Sequence, residues 1–307
     1  MCPECKGRGK KRRKLRKKTR RQYQEALDQF EKSNKEGVVP DRPKGHLYSC
    51  INCNGSGLRP SDNYPVADSK TYPHVAIIGG GISGMALAVA CLHRNIPFTV
   101  YERDASFDAR SQGYGLTLQQ ASKAIDGFGI SSLKEGVVST RHLVHTTDGK
   151  VIAEWGMRKW LQTETKISNK RSNIHIARQL LRKALLEQLG EQVDEQFDEP
   201  SDVQTKSRVQ WNHQLIDFKQ RADKHSNGKG VELNFQVQVQ DEKTGLWHKQ
   251  NQTDYADLVV GADGIRSAVR KTLITEKTSP LQYLGCIVIL GICPLADIKD
   301  EYGDVLK

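Results

Sequence analysis

The segment from His74 to Asp104, HVAIIGGGISGMALAVACLHRNIPFTVYERD, decides the fold. It begins with a short apolar strand, passes through a glycine turn into a stretch of helical composition, and ends with a second apolar strand and an acid. A strand, a glycine-rich turn and a helix in this order form a βαβ unit whose helix N-terminus binds phosphate. The segment therefore predicts a dinucleotide site on an α/β fold.

The turn has the spacing G-x-G-x-x-G, and each glycine has a separate physical task. The first permits the tight turn, the second lets the backbone approach a pyrophosphate, and the third lets the helix lie against the strand. The residues of this predicted cradle are Gly79, Gly80, Gly81, Ile82, Ser83 and Gly84.

Glu102 closes the second strand 23 residues after Gly79. At about this spacing a carboxylate accepts the ribose hydroxyls of a nucleotide that has no 2′-phosphate. We assign Glu102 and the adjoining Arg103 to the cofactor site. Residues 75–92 are also uncharged for long enough to cross a membrane, but the crowded glycines disfavour that interpretation, and we expect no membrane span.

Charge is unevenly distributed along the 307 residues, which carry a net charge of +11. Residues 1–70 hold 18 Lys+Arg against 8 Asp+Glu, whereas the remainder is nearly neutral. The start of the chain lacks the apolar segment of a secretory signal. We expect a reducing, cytoplasmic setting, with the nucleus as the alternative, and cysteines that act as ligands or thiols before disulfides.

Two copies of C-x-x-C-x-G-x-G stand in this basic part, and their cysteines are Cys2, Cys5, Cys50 and Cys53. Four thiolates in two such pairs suit one tetrahedral zinc ion, with free thiols or a redox pair as the alternative. The copies resemble the zinc knuckles of DnaJ-type co-chaperones. Apolar residues recur at helical spacing between them and predict a bridging helix, as at Leu15, Tyr23, Leu27 and Phe30.

The run from Lys10 to Arg21, KKRRKLRKKTRR, has ten basic residues in twelve. Such density beside a zinc site suits contact with the phosphates of nucleic acid. A nuclear address and a solvated helix face remain alternatives for the same run.

A second motif follows near the end of the chain, DLVVGADGIRSAVR over Asp257 to Arg270. Together with the first motif it resembles the FAD-dependent monooxygenases of the aromatic-hydroxylase family, the relatives of para-hydroxybenzoate hydroxylase. The resemblance implies that Asp263 and Gly264 lie by the FAD pyrophosphate and that Arg266 lies beside the path of the pyridine nucleotide. The alternative for Asp263 is an aspartate that caps the helix after it.

Two weaker matches to this family carry further implied contacts. Arg110 resembles an arginine in the stretch that approaches the flavin, and Arg178 resembles the arginine that heads the second helix of the FAD domain, here over 179–189. The alternating residues of 210–217 and 231–240 predict antiparallel strands, which correspond to the family's small β-meander.

The expected organisation has four parts. They are a basic zinc-knuckle module over 1–58, a linker over 59–73, an FAD-binding domain over 74–280 with substrate-domain strands inserted around 140–170, and the start of a substrate domain over 281–307. A strand is expected over Leu284–Ile292. The family's third signature, a Gly-Asp that opens a helix, is not found, since Gly303-Asp304 reads as a turn. We therefore expect a monooxygenase truncated at its C-terminus, with an incomplete flavin-ring site.

The implied function is an NAD(P)H-dependent FAD monooxygenase that uses molecular oxygen to hydroxylate a small organic, possibly aromatic, substrate. Flavin carries such chemistry, so no side-chain base is required and we assign no catalytic residue. The competing hypothesis is a non-catalytic zinc and nucleic-acid binding protein with a degenerate flavin-binding fold.

Overall fold

The structure is a computed structural model that describes residues 1–109, 114–130, 133–138, 142–155, 174–190, 207–221, 230–240, 246–274, 282–285 and 287. The chain divides into two compact units, Met1–Tyr64 and Pro65–Lys307. The division falls within the predicted linker over 59–73. The latter part of that linker is hydrogen-bonded within the second unit, where Asn95 donates to the Val66 carbonyl and accepts from the Asp68 N–H.

The first unit is built around its four knuckle cysteines, which form its buried core. Strand β1 (Lys10–Arg12) pairs antiparallel with β2 (Leu47–Ser49). Between them lies helix α1 (Lys17–Lys32), in the region where the apolar spacing predicts a helix. None of its residues is buried, so packing contributes little to its stability.

The centre of the second unit is a parallel sheet of four strands in the order β10-β4-β3-β14. Its strands are β3 (Val75–Ile78), β4 (Phe98–Tyr101), β10 (Val209–Gln210) and β14 (Leu258–Gly261). The first and second motifs supply the neighbours β3 and β14, so two distant parts of the sequence meet in this sheet.

The two faces of the sheet are covered by different layers, and β3 is buried on both. Val75 and Ile77 pack with helices α2 (Ile82–Leu92) and α4 (Arg178–Glu187), while Ala76 and Ile78 pack with antiparallel strands on the opposite face. Burial on both sides explains why the strand has a continuous apolar sequence. The predicted α/β class is confirmed.

The antiparallel layer is a meander of β11 (His213–Gln220), β12 (Val231–Gln240) and β13 (Trp247–Ala256). The strand predicted over 210–217 is wrong in its continuity, because residue 210 ends β10 in the parallel sheet and β11 begins only at 213. Asn212 separates them with a φ of 63°, a left-handed conformation that asparagine tolerates better than most residues. Strand β13 is absent from the sequence prediction because it is mostly exposed and lacks apolar alternation.

Smaller elements complete the described residues of the second unit. A sheet in the order β5-β9-β6 and a hairpin of β7 and β8 accompany two short helices. Their bounds are β5 (Gly115–Thr117), α3 (Ser122–Gly127), β6 (Val137–Val138), β7 (His142–His145), β8 (Val151–Trp155), β9 (Ile174–Ala177) and α5 (Ala268–Leu273).

Several predictions fall partly or wholly outside the described residues. The hairpin of β7 and β8 lies within the range predicted for inserted strands, but residues 156–173 lie outside, as does Gly303-Asp304. Most of the strand predicted over Leu284–Ile292 also lies outside, and its described residues 284, 285 and 287 are not in a strand. No helix in the described parts of the chain has the length and hydropathy of a membrane span.

Candidate cofactor site

A cavity of about 250 Å³ lies where β3, β4 and β14 end and the loops that follow them begin. It brings together nine of the thirteen predicted cofactor residues, although Gly79 and Asp263 are 184 positions apart in the sequence. These nine are Gly79, Gly81, Ile82, Glu102, Arg103, Arg178, Asp263, Gly264 and Arg266. Gly80, Ser83 and Gly84 belong to the same loop and helix start without lining the cavity, and Arg110 lies outside the described residues.

The first and third glycines of the cradle are required by contacts within the protein. Gly79 has a φ of 107°, and a Cβ there would lie 2.6 Å from the carbonyl oxygen of Ala262. A Cβ on Gly84 would overlap the carbonyl oxygen of Gly79. The loops of the two motifs therefore touch, and the start of α2 lies directly on them.

Gly81 differs, because the space beside its Cα is open. A Cβ there would have no atom within 4 Å, and the backbone has an ordinary φ of −74°. Neither packing nor strain in the protein accounts for a glycine at this position. The open space lies on the cavity at the N-terminus of α2, where a phosphate group fits.

Gly80 is held from two sides by buried charged side chains. Its N–H donates to Glu102 Oε2 at 2.6 Å, and its carbonyl accepts from Arg182 Nε at 2.7 Å. Glu102 and Arg182 are only 8% and 7% exposed. The second Glu102 oxygen accepts from the Asp104 N–H at 3.1 Å, so the carboxylate is fixed at the cavity edge with acceptor capacity remaining.

Asp263 uses both of its carboxylate oxygens on the start of α5. Oδ1 accepts from the Ser267 hydroxyl, and Oδ2 accepts from the N–H groups of Ala268 and Val269 at 2.6 and 3.3 Å. The structure thus places Asp263 on the cavity while its side chain caps a helix. Gly264 beside it has a φ of 77° and open space around its Cα.

Two cavity residues have buried nitrogen atoms without a hydrogen-bond partner among the described residues. These atoms are Arg178 Nε and His213 Nε2. The His213 ring is fixed by its other nitrogen, which lies 2.6 Å from the Trp211 carbonyl oxygen, and it packs against Tyr101. Buried polar atoms are usually paired, so these two favour a polar ligand in the cavity. With the open space at Gly81, they fit an adenosine pyrophosphate.

A separate arrangement in the first unit joins the four knuckle cysteines. Their sulfur atoms lie within 4.8 Å of one another, and those of Cys5 and Cys53 are 3.7 Å apart. Sulfurs bound at 2.3 Å around a tetrahedral zinc ion would be roughly 3.8 Å apart, so the donor set and its spacing fit that ion.

The two knuckles bind each other through equivalent hydrogen bonds. The Cys2 N–H donates to the Gly57 carbonyl at 2.8 Å, and the Cys50 N–H donates to the Gly9 carbonyl at 2.9 Å. Burial raises the pKa of the Cys5 thiol to about 11. At Cys53 burial acts in the same direction but is outweighed, chiefly by the Gly57 N–H, which lowers the pKa to about 7.

Comparison with known proteins agrees with the geometry of the cavity. Residues 72–291 match the family described as "FAD binding domain". The chain belongs to this FAD-binding family. The dinucleotide predicted from the two motifs is therefore FAD, and the resemblance to FAD-dependent monooxygenases is confirmed by the relatives.

Two relatives illustrate the similarity of this FAD-binding chain to FAD-dependent monooxygenases. FAD-dependent monooxygenase sor5 of Hypocrea jecorina is 29% identical over 233 residues, which cover 75% of this chain and 42% of the relative. A probable FAD-dependent monooxygenase of Arthroderma benhamiae is 47% identical over 53 residues, or 17% of this chain and 12% of the relative. The chain spans less than half the length of the curated relatives it matches.

Among solved structures, the FAD-binding chain is similar to p-nitrophenol 4-monooxygenase PnpA from Pseudomonas putida DLL-E4. The identity is 17%, the TM-score is 0.45, and the match covers 66% of this chain and 43% of that one.

Sequence reasoning missed Arg182, His213 and Tyr101 as residues of the cavity in this FAD-binding domain. Arg182 had a usable signal, since it is a charge within the apolar stripe of α4, between the buried Leu181 and Leu185. His213 and Tyr101 had none, because only the pairing of distant elements brings them to the cavity.

Proposed function

We propose that this chain is the FAD-binding part of an NAD(P)H-dependent monooxygenase that hydroxylates a small organic substrate. The observation that carries the proposal is the open space at Gly81, on a cavity lined by both cofactor motifs. Membership of the FAD-binding family and the names of the relatives support it. A relative named 6-methylsalicylate 1-monooxygenase, from Aspergillus terreus and 24% identical over 234 residues, favours an aromatic substrate.

The cavity residues suggest which part of the protein would hold each part of a bound FAD. The Gly81 loop and the N-terminus of α2 would hold the pyrophosphate, and Glu102 would accept hydrogen bonds from the adenosine ribose. Arg178, whose buried Nε has no partner among the described residues, would donate to the cofactor. Asp263 would act mainly by fixing its loop, since its carboxylate already caps α5.

Bound FAD would accept hydride from NAD(P)H and activate oxygen. The chain itself would need only to bind and orient the reactants and to exclude water from the site. Arg266 is exposed beside Gly264 on the cavity, a position open to the pyridine nucleotide. We assign no side-chain base.

The test is reconstitution of the purified chain with FAD. Binding should appear as flavin absorbance bands at roughly 370 and 450 nm that remain with the protein through gel filtration. NAD(P)H oxidation and product formation are then measured with a panel of phenolic acids. Colourless protein after reconstitution would favour the alternative, a non-catalytic zinc and nucleic-acid binding protein.

We further propose that the cysteine cluster holds one structural zinc ion. All four possible ligands are sulfur and all are buried, which suits a closed structural site with no position for substrate.

A second candidate function, nucleic-acid binding by the first unit, is favoured by the placement of the basic run. Of its ten basic residues nine are exposed, and among the described residues only Lys11 and Arg21 of the run form ion pairs, with Glu4 and Glu25 respectively. The first turn of α1 has no acid, so its basic residues oppose the helix dipole. Phosphates of a nucleic acid would relieve that repulsion.

Fluorescence anisotropy with double-stranded RNA and DNA tests this second candidate. The fourfold change Lys17, Lys18, Arg20 and Arg21 to Gln should abolish binding that weakens steeply with salt. The matched control changes Lys32, Lys35, Arg42 and Lys44 to Gln, with the same loss of charge in the same unit. Equal loss in both variants, or none in the first, would contradict a specific role for the run.

A further inference from the structure

Arg182 is a buried arginine at the cavity, and the proposed function assigns it no role. It lies one turn into α4 and is 7% exposed. Burial of a guanidinium is costly unless its donors are satisfied by well-placed acceptors. Its contacts therefore indicate what the charge does in this fold.

The guanidinium is fixed in orientation by rings and carbonyls. It lies 5.0 Å from the centre of the Phe107 ring and 5.4 Å from that of Trp211. Its Nη1 donates to the Phe107 carbonyl at 3.2 Å, and its Nε donates to the Gly80 carbonyl at 2.7 Å. The last bond joins α4 directly to the glycine loop.

The Gly80 carbonyl belongs to the same peptide group as the Gly81 N–H. In a trans peptide these two groups point in opposite directions, so a partner that fixes the carbonyl also fixes the N–H. A cation on the carbonyl oxygen also polarises the peptide and makes the N–H a stronger donor. No acceptor among the described residues takes the Gly81 N–H.

Glu102 acts on the neighbouring peptide in the complementary way. Its carboxylate accepts the Gly80 N–H, which belongs to the peptide between Gly79 and Gly80. One buried anion and one buried cation thus fix two successive peptides of the loop. The loop is arranged before any ligand arrives, which lowers the entropic cost of binding.

We propose that Arg182 is a positioning residue that holds and polarises the Gly80–Gly81 peptide, so that the Gly81 N–H is presented to an anionic group of the cofactor. This inference rests on the proposed function, in which that group is the FAD pyrophosphate. It assigns the residue a role in affinity without direct contact with the cofactor.

The experiment compares Arg182→Met, which keeps the length and apolar packing, with Arg182→Lys, which keeps a charged donor. Arg182→Met should weaken FAD binding about tenfold or more, and Arg182→Lys should recover part of it. In ligand-free protein with ¹⁵N-labelled glycine, the Gly81 amide proton should move upfield in Arg182→Met, because its peptide is no longer polarised.

The matched control is Arg208→Met. Arg208 also donates from Nη1 to a backbone carbonyl, that of Leu189 at 2.8 Å, but it does not line the cavity. This control should keep FAD affinity within about twofold. Wild-type affinity and an unmoved Gly81 amide in Arg182→Met would overturn the proposal, as would an equal loss in Arg208→Met.

Failure of FAD binding by the chain and failure of the positioning role of Arg182 give different results. Wild-type protein that binds no FAD contradicts the proposed function, whereas the Gly81 amide still reports whether Arg182 holds the loop. If Arg182→Met does not fold, Arg182→Gln, which removes the charge and keeps a polar side chain, decides. Its weakened FAD binding at unchanged thermal stability supports the proposal, and its unchanged binding with an unmoved amide overturns it.

Discussion

The glycines of the two units are alike except at one position of the cofactor loop. In the two cysteine knuckles, a Cβ on Gly9 would overlap the Gly55 carbonyl, and one on Gly57 would lie 2.5 Å from the Gly7 carbonyl. Those glycines let two halves of a site close on each other. In the cofactor loop Gly79 and Gly84 do the same, but Gly81 meets nothing.

The difference separates glycines that bring backbone segments of the protein together from a glycine that leaves room for a ligand. A glycine required by neighbouring backbone should affect stability when it is changed. A glycine beside open space should affect only binding. The motifs look alike in sequence, so this distinction comes from the structure.

The largest expected effect comes from breaking the closed site. Cys50→Ser with Cys53→Ser should remove about one zinc ion per chain and unfold the paired knuckles, since the four cysteines form the buried core of the first unit. Elemental analysis and circular dichroism measure the two losses. Cys91→Ser, at a buried cysteine outside the cluster, is the control that should keep zinc. Flavin binding should survive the double change, and its loss would contradict separate units.

The next largest effect is expected when a side chain is introduced at the close approach of Gly84 to the Gly79 carbonyl. Gly84→Val should cost about 3 kcal/mol of unfolding free energy, because the side chain would overlap the Gly79 carbonyl. Ser83→Val is the control, since it places the same side chain at an exposed neighbouring position of α2. Chemical denaturation measures both variants. Equal stability of the two would show that the close approach at Gly84 is unimportant.

Gly81→Val should have a smaller effect on the protein and a selective one on the ligand. Its backbone conformation is ordinary and the space is open, so thermal stability should stay close to wild type. FAD affinity should nevertheless fall by at least about tenfold, because the side chain fills the place of the pyrophosphate. Flavin fluorescence titration measures the affinity. Retained affinity would mean that this loop is not the cradle.

The smallest effect concerns the cavity wall at high pH. Burial raises the pKa of Tyr101, and the hydrogen bond to Asp254 at 2.6 Å raises it further. The folded state therefore keeps the proton after the unfolded state has lost it near pH 10, and this stability is lost as pH rises. Tyr101→Phe should cost about 1 kcal/mol at neutral pH and show a weaker decline in Tm above about pH 10. Tyr72→Phe, at an exposed tyrosine, should behave as wild type.

The parts of the fold and site that the sequence predicts are those with local signals. The glycine turn, the apolar strands beside it and the paired cysteines each carry their chemistry within a few neighbouring residues. Strand β13 lacks such a signal because both of its faces are largely exposed. The break at Asn212 depends on one left-handed residue, which the alternation pattern does not show.

The roles of charged residues at the cavity were harder to predict, because they depend on partners far away in the sequence. The spacing predicts a role for Glu102, whereas its contact with Gly80 depends on the fold. Arg182 reaches the same glycine from a helix 102 positions further along the chain. Asp263 satisfies both the cofactor motif and the capping alternative, since it lines the cavity while capping α5.

The pairing of β3 with β14 also has a consequence for the order of events during synthesis. The cysteine knuckles need only the first 57 residues, whereas the cradle needs the strand that begins at Leu258. At about 5–20 residues per second, roughly 10–40 seconds separate the translation of β3 from that of its partner. During that interval the edge of β3 is unpaired and the Gly79 loop lacks its neighbour at Ala262. The nascent chain therefore exposes an apolar edge to chaperones before it can bind its cofactor.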